Sequence, residues 1–521
     1  MKNGWKQWSV VLTTLGLFGA SASPAKAGSG DAGTVQSTPH TAVDIGAEPN
    51  GSSALLDTLV RKGVLSDQEA EEIGVKLTKD QVTSPNVKFQ QALGIKQITL
   101  FGDMRLRYED RTGRAPVGSL APGSATVLGH NDDEERNRYR YRLRFGFKAD
   151  LVDDWFAGFR LATNPNNPRS GNVTFGDGGS AGPFGKAKSL IGVDQVYLGW
   201  KGADWITLEA GRMPNPLYGT SMVIDDNINF DGISEQLHKK LMDGKLELFG
   251  NFVQALYSDS TMDNSVNTGA AFNYSDVFML AEQVGAKFNF TKDIYVKAAP
   301  TVFTYTGTRT AATETWNSAV NGASSATNQP SNFGGPFNGD ISDTQSFNGY
   351  AGNNSAINNL FVIDLPGEVG FKIAQMPMKV FGDFAVNADA DHRADLAAHP
   401  GSGWKDGYAY RAGVQVNEAK KKGQWQTQAY WQHTGTYAVD PNLVDADIFD
   451  GRTNMEGIVL NVTYNFTDAV SMRLQYANAN RIDHAQGLDG LAMGTPGTGQ
   501  DLNLTAIDHY QLLQADLNWK F

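Results

Sequence analysis

Five arginines stand at alternate positions between Glu135 and Leu151: Arg136, Arg138, Arg140, Arg142 and Arg144, in the run ERNRYRYRLRFGFKADL. A guanidinium group stays charged and offers a fork of N–H donors to carboxylates or phosphates. Two chemistries follow from such a row: a groove for a polyanion, or a charged wall facing water. Helical spacing would scatter the arginines around the cylinder among aromatic residues and leave no apolar face. Strand spacing sorts them completely. One face then carries Arg138, Arg140, Arg142, Arg144 and Lys148; the other carries Tyr139, Tyr141, Leu143, Phe145, Phe147 and Leu151. The preceding segment, ITLFGDMRLRYE, repeats the arrangement, with Asp103, Arg105 and Arg107 opposite Leu100, Met104, Leu106 and Tyr108.

The elements that position these faces recur along most of the chain. From about residue 98 to Phe521, sixteen alternating segments of about ten residues follow one another, among them WFAGFRLAT, KLELFGNFVQ, WQTQAYWQH and HYQLLQADLNWKF. The connections between them alternate in length. Short ones, such as VDD at 152–154, TKD at 291–293 and TDA at 467–469, take turns with long polar ones at 110–135, 165–190, 213–227, 258–275, 306–358, 388–407, 435–454 and 481–505. One end with tight turns and one end with large loops is the pattern of a transmembrane barrel. Aromatic residues cluster at the short-turn end: Trp155, Trp200, Trp205, Phe290, Tyr295, Trp425 and Phe466. Amphipathic rings belong at a headgroup boundary. The expected fold is therefore all-β, a transmembrane antiparallel β-barrel of about 16 strands with a short N-terminal helical segment.

Composition narrows the class further. The 521 residues carry a net charge of −12, which argues against a general nucleic-acid binder, and contain no cysteine, which excludes a disulfide scaffold and thiolate metal sites. The start of the chain reads as a signal peptide over 1–27: Lys2 and Lys6, an apolar run, then Ala25-Lys26-Ala27 as a cleavage site. Residues 28–97 read as a flexible linker followed by a periplasmic helical pair, with the capping box SDQE at Ser66 to Glu69. The barrel is assigned to 98–521. No later stretch approaches the ~20 apolar residues of a membrane-spanning helix. The last strand ends on Phe521 itself.

A barrel of sixteen strands leaves an aqueous channel, and arginine on its lipid face costs roughly 2–4 kcal/mol near the midplane. The ladder Arg105, Arg107, Arg138, Arg140, Arg142 and Arg144 must then line the pore. Its expected counter-charges lie in the loop after the fifth strand, RMPNPLYGTSMVIDDNINFD, which Pro214 and Pro216 stiffen and which carries Asp225, Asp226 and Asp231. Folded into the lumen, it would oppose acids to arginines and set a transverse field across a constriction. The same acids on an outer loop, without specific partners, remain the alternative.

Several stretches resemble bacterial putative porins: ALLDTLVRKGVLSDQEAEE, GDMRLRYE, RYRYRLRFGF, FRLATNPNNPRSGNVTFGD, DQVYLGW and AGRMPNPLYGTSMVIDDNINFDGIS, with a further likeness in the terminal strand. The resemblance implies an outer-membrane barrel through which small hydrophilic solutes and ions diffuse, with no catalytic residues, no metal and no cofactor, and commonly a homotrimer. Separately, a last amphipathic strand closing on an aromatic, here Phe521, resembles the signature that barrel-assembly machinery recognises in outer-membrane proteins. Outer-membrane lipid, that machinery and the solutes are the expected partners; nucleic acid is not. Enzymatic motifs are weak. GGSAG at 178–182 lies in a glycine-rich loop without the strand and helix of a nucleophile elbow. DADIFDG at 445–451 lacks a required position of a calcium loop. The long 306–358 loop leaves open a second reading, a barrel with a surface role in adhesion, as a receptor or as an outer-membrane enzyme.

Overall fold

The computed structural model describes Gln68, which is helical, and residues 94–114, 133–165, 167–176, 191–258, 277–305, 360–391, 406–441, 443–483, 502 and 507–521. The expected leader, linker and helical pair lie outside these residues except for Gln68 and the last few positions. So do the GGSAG motif and the 306–358 loop.

The described strands are β1 (Ile95–Arg114), β2 (Asp133–Leu151), β3 (Trp155–Thr163), β4 (Val173–Thr174), β5 (Ile191–Ala203), β6 (Ile206–Pro214), β7 (Asn229–Leu241), β8 (Leu246–Ser258), β9 (Val277–Asn289), β10 (Tyr295–Ala298), β11 (Thr301–Tyr305), β12 (Phe361–Asp364), β13 (Gly367–Ile373), β14 (Met376–Asn387), β15 (Tyr408–Val416), β16 (Trp425–Thr434), β17 (Met455–Asn465), β18 (Val470–Arg481) and β19 (His509–Lys520). They form sixteen staves. β10 and β11 are one stave interrupted at Pro300, and β12 and β13 are one interrupted at Pro366, because proline has no N–H to give the ladder. The short β4 continues the line of β3 along β2. Every pairing is antiparallel, and β19 pairs with β1 to close the sheet. Closure removes the free edges.

Phe521 lies at the closing seam. The N–H and C=O of Phe521 both bond to Gly102, at 3.1 and 2.9 Å. Its ring lies over Gly102, where a Cβ would come within 2.5 Å of it, stacks on Phe145 and meets Trp519 at a tilt.

Alternation sorts the two faces as the spacing demands. Tyr139 and Phe145 of β2 are exposed outward, whereas Arg138, Arg140 and Arg142 are buried inward. Trp155, Trp205, Phe290, Trp425 and Phe466 are exposed at the short-turn end. Tyr295 departs from this girdle: it points inward, and its hydroxyl donates to Glu368 at 2.8 Å. Among the described residues no helix is long and apolar enough to cross a membrane; the crossing elements are strands.

Candidate pore constriction

The register between β1 and β2 sets the arginine ladder. Arg105 faces Arg142 and Arg107 faces Arg140, while Glu109 faces Arg138 and Asp103 faces Arg144. Like charges directly across a strand pair repel, so the two arginine rungs are bracketed by an acid rung on each side. Asp103 accepts from Arg142 at 2.8 Å and from Arg144 at 2.7 Å. Glu109, fully buried, serves Arg138, Arg140 and Arg111. On the other flank, Arg107 donates two parallel bonds to Asp516 of β19, at 2.6 and 2.9 Å, the paired geometry that strengthens a charge-assisted contact.

Farther round the wall, Arg160 of β3 bonds Asp194 at 2.5 Å. Asp194 reaches the lumen through a β-bulge. The register slips between Arg160 and Leu161, so Asp194 and Gln195 both turn inward, whereas Val193 and Val196 are exposed outward.

Two loops fold into the barrel from the long-loop end. The first, 215–228, leaves β6 and crosses to the far wall. Tyr218 exchanges bonds with the Gln283 side chain of β9, at 2.9 and 2.7 Å, and Lys297 of β10 sits 3.6 Å from the Tyr218 ring centroid. Thr220 donates its hydroxyl to Asp383 of β14 at 2.6 Å, and Arg411 of β15 reaches Ser221. The loop then returns to β2, where Arg142 donates to Asn227 at 3.1 Å.

The second loop, 435–454, leaves β16 and runs to the arginine wall. Tyr305 of β11 donates to Asp440 at 2.8 Å. Asp447 accepts from Arg107 at 2.7 Å and Arg111 at 3.1 Å, and Asp450 accepts from Arg111 at 3.0 Å.

The two loops meet through backbone bonds. Asp225 N–H donates to Leu443 O at 2.6 Å, and Asp445 N–H donates to Ser221 O at 3.1 Å. Ala446 N–H donates to the Asp225 carboxylate at 3.1 Å. Met222, Val223 and Ile224 pack with Val439, Leu443 and Val444 against Val253, Met279 and Phe303 of the wall. The barrel therefore holds an apolar core inside its own lumen, which anchors the constriction by removing that area from water. A polar cleft stays open beside it, lined by Arg142, Arg144, Asn164, Asp194 and Asn227.

The counter-charges differ from the sequence expectation. The acids against the ladder are Asp103, Glu109 and Asp516 from the wall, with Asp447 and Asp450 from the second loop. Asp225 is buried at the junction between the loops. Asp226 is exposed and makes no ion pair among the described residues. Asp231 lies on the outer face of β7, alternating with buried Phe230, and pairs with Arg212 at 2.7 Å. The reason is phase: the loop ends at Ile228, and the strand that follows turns Asp231 outward.

The loop acids divide electrostatically. Burial and the neighbouring Asp445 push the Asp225 carboxyl up; burial and Asp447 push Asp445 up. Burial also acts on Asp447, but Arg107 and Arg111 outweigh it and hold that carboxyl well below the usual range.

Glu109 could have been found by carrying the β1 alternation one step beyond Arg107. The role of DADIFDG could not: Asp447 and Asp450 bind arginines of the wall, and nothing in the local spacing says so.

A closed wall, apolar outside and charged within, narrowed by loops that enter from one end, defines an outer-membrane channel. The chain belongs to the family described as Putative porin, whose model matches residues 94–521. No curated protein matches the chain. Among solved structures it is similar to OmpF of Salmonella typhi in complex with daunomycin, at 10% identity and a TM-score of 0.38, covering 82% of this chain and 98% of that one. It is similar also to OprB of Pseudomonas putida at high pH, at 9% identity and TM-score 0.41, covering 84% and 96%. A third is the outer membrane channel DcaP of Acinetobacter baumannii, at 14% identity and TM-score 0.36, covering 82% and 97%.

Proposed function

We propose that the protein is a water-filled pore through which small hydrophilic solutes and ions diffuse passively across the outer membrane. The reading rests chiefly on the inner face of β1 and β2, where arginines and acids line a lumen that two loops narrow without a catalytic constellation among the described residues. In this reading 1–27 directs export, 28–97 lies in the periplasm, and the strand ending at Phe521 is what the assembly machinery takes up. The pairing of Phe521 with Gly102 supports that last role, since the terminal strand completes the wall. Arg105, Arg107, Arg138, Arg140, Arg142 and Arg144 then form the basic side of the constriction, and the exposed Asp226 adds a free acid. The working assembly is a homotrimer in outer-membrane lipid.

Planar-bilayer recording of the purified protein tests the pore. Stable conductance steps of water-pore size are expected. A barrel that inserts and stays sealed would overturn the reading in favour of a surface role.

A further inference from the structure

Lysines as well as arginines face the lumen, and acids do not match them in the same way. Near the short-turn end one cross-strand row runs Lys240 of β7, Glu247 of β8, Lys287 of β9, Lys297 of β10, Glu368 of β13 and Phe381 of β14, each directly opposite the next. The row faces inward. It shares the spacing of buried Asn251 and Gln283, whereas Leu248, Val284, Val296 and Val369 alternate with it and are exposed outward. β9 and β10 stand about half the circuit of the wall away from β1 and β2.

Lys287 and Lys297 are neighbours in this row, with Cβ atoms about 5 Å apart, a placement in which like charges repel. On the arginine wall such rungs are bracketed by carboxylates that bond them. Here neither lysine makes an ion pair among the described residues. Glu247 faces Lys240 on one side and Lys287 on the other and pairs with neither. Glu368 is taken up by Lys379, at 3.1 Å, and by the Tyr295 hydroxyl, at 2.8 Å. The two ammonium groups rest on aromatic rings instead. Lys287 Nζ is 4.7 Å from the Tyr295 centroid, and Lys297 Nζ is 3.6 Å from that of Tyr218 and 5.2 Å from that of Phe249. Phe249 lies over Gly285 and Tyr295 over Gly370, where a Cβ would strike the rings, so both are set against the wall. A ring face attracts an ammonium group through its quadrupole but carries no net charge. The pair therefore keeps its positive field, and its ammonium groups keep N–H donors to give.

We propose that Lys287 and Lys297 form a binding subsite for aromatic carboxylates at the short-turn end of the pore. The carboxylate lies between the two ammonium groups and cancels their repulsion. The ring of the solute lies against Tyr218, Phe249 and Tyr295, which removes apolar area from water. A small inorganic anion satisfies the charge and gains nothing from the rings. The subsite is separate from the arginine cleft, where Arg142 and Arg144 already hold Asp103. The inference rests on the pore reading and names a solute class that the channel retains during passage.

Benzoate is the probe, and acetate is its control without the ring. In planar bilayers with chloride as the carrier, benzoate should interrupt the single-channel current saturably and reversibly. Acetate should need a concentration roughly tenfold higher or more. Lys287→Gln combined with Lys297→Gln should raise the half-blocking benzoate concentration roughly tenfold or more and leave conductance steps in place. Lys287→Gln alone should shift it in the same direction by less. Arg142→Ala combined with Arg144→Ala should leave it unchanged. Block that survives the double lysine substitution, block that is lost with the arginines instead, or equal block by acetate overturns the proposal. Calorimetric titration of benzoate into the detergent-solubilised barrel reads the subsite without conductance, so a sealed barrel sinks the pore reading and not the site. Binding heat that is lost in the double lysine variant is expected there; no heat with the wild type overturns the proposal.

Discussion

The wall of this barrel carries charge at mid-height on both faces, and the two faces solve the problem differently. Inside β1 and β2, every ladder arginine has a carboxylate from the same chain: Asp103, Glu109, Asp516, Asp447 or Asp450. Outside β7 and β9, next to the inward Ser234 and Gln283, Glu235 has one neutral amide and Glu282 has no partner among the described residues. Alternation along a strand decides which way a side chain points. Whether it is tolerated there depends on what comes to meet it. The inner face supplies its own answer through strand register and infolded loops; the outer face supplies one amide, Gln254, to Glu235.

The comparison breaks first at Glu109. Glu109→Ala strips a shared carboxylate from Arg138, Arg140 and Arg111, leaving buried positive charge. Loss of one partner from a buried pair costs roughly 3–5 kcal/mol. Denaturant unfolding in detergent should show a loss of that order, whereas Glu282→Leu should leave the isolated barrel as stable as before or more so. Equal effects at the two sites would erase the distinction between faces.

A smaller effect is expected at Asp447→Asn, which neutralises the loop acid held by Arg107 and Arg111. Charge-assisted bonds of this kind contribute roughly 1.5–3 kcal/mol. The second loop should loosen on its wall contact while the strand ladder keeps Asp516 and Glu109. Protease sensitivity confined to 435–454, with an intact barrel core, is the expected result; general unfolding is not.

How much of this could be read from the sequence depends on periodicity. The strands and the inward turn of the β2 arginines were legible because a period of two is local. The infolding of 435–454 was not, since its acids find arginines more than three hundred positions away in sequence. Asp194 was hidden by the bulge that shifts its phase. The outward turn of Glu235 and Glu282 was hidden by composition. Glu235-Gln236 and Glu282-Gln283 each give one polar residue to each face, so polarity there does not say which side is lipid. The loop acids Asp225, Asp226 and Asp231 stood together in sequence, yet the structure buries one at a junction, leaves one exposed on the loop and turns one to the outer surface.

The junction between the loops should respond to pH in a way that the wall does not. Asp225 and Asp445 have raised carboxyls, so their contribution is fully present below the unfolded-state value of about 3.9 and is lost as pH rises through their folded-state values. Asp447 is depressed, so its contribution is kept above about 3.9 and lost as pH falls toward its folded-state value. Protection of the Asp225 and Ala446 amides from hydrogen exchange should therefore rise as pH falls from neutral toward about 4 and decline below it. A monotonic decline from neutral would contradict the assignment.

The central claim is that the arginine face of β1 and β2 borders the water through which ions pass. Reversal potential in a salt gradient tests it directly. Arg144 is 20% exposed and Arg142 opens onto the polar cleft, whereas Arg140 is shielded by Glu109 and Asn172. Replacing Arg142 and Arg144 with Ala should move the reversal potential toward cation preference, and Arg140→Ala should move it less in the same direction. A reversal potential that stays at the wild-type value in the double variant, with conductance steps intact, would take the ladder out of the conduction path.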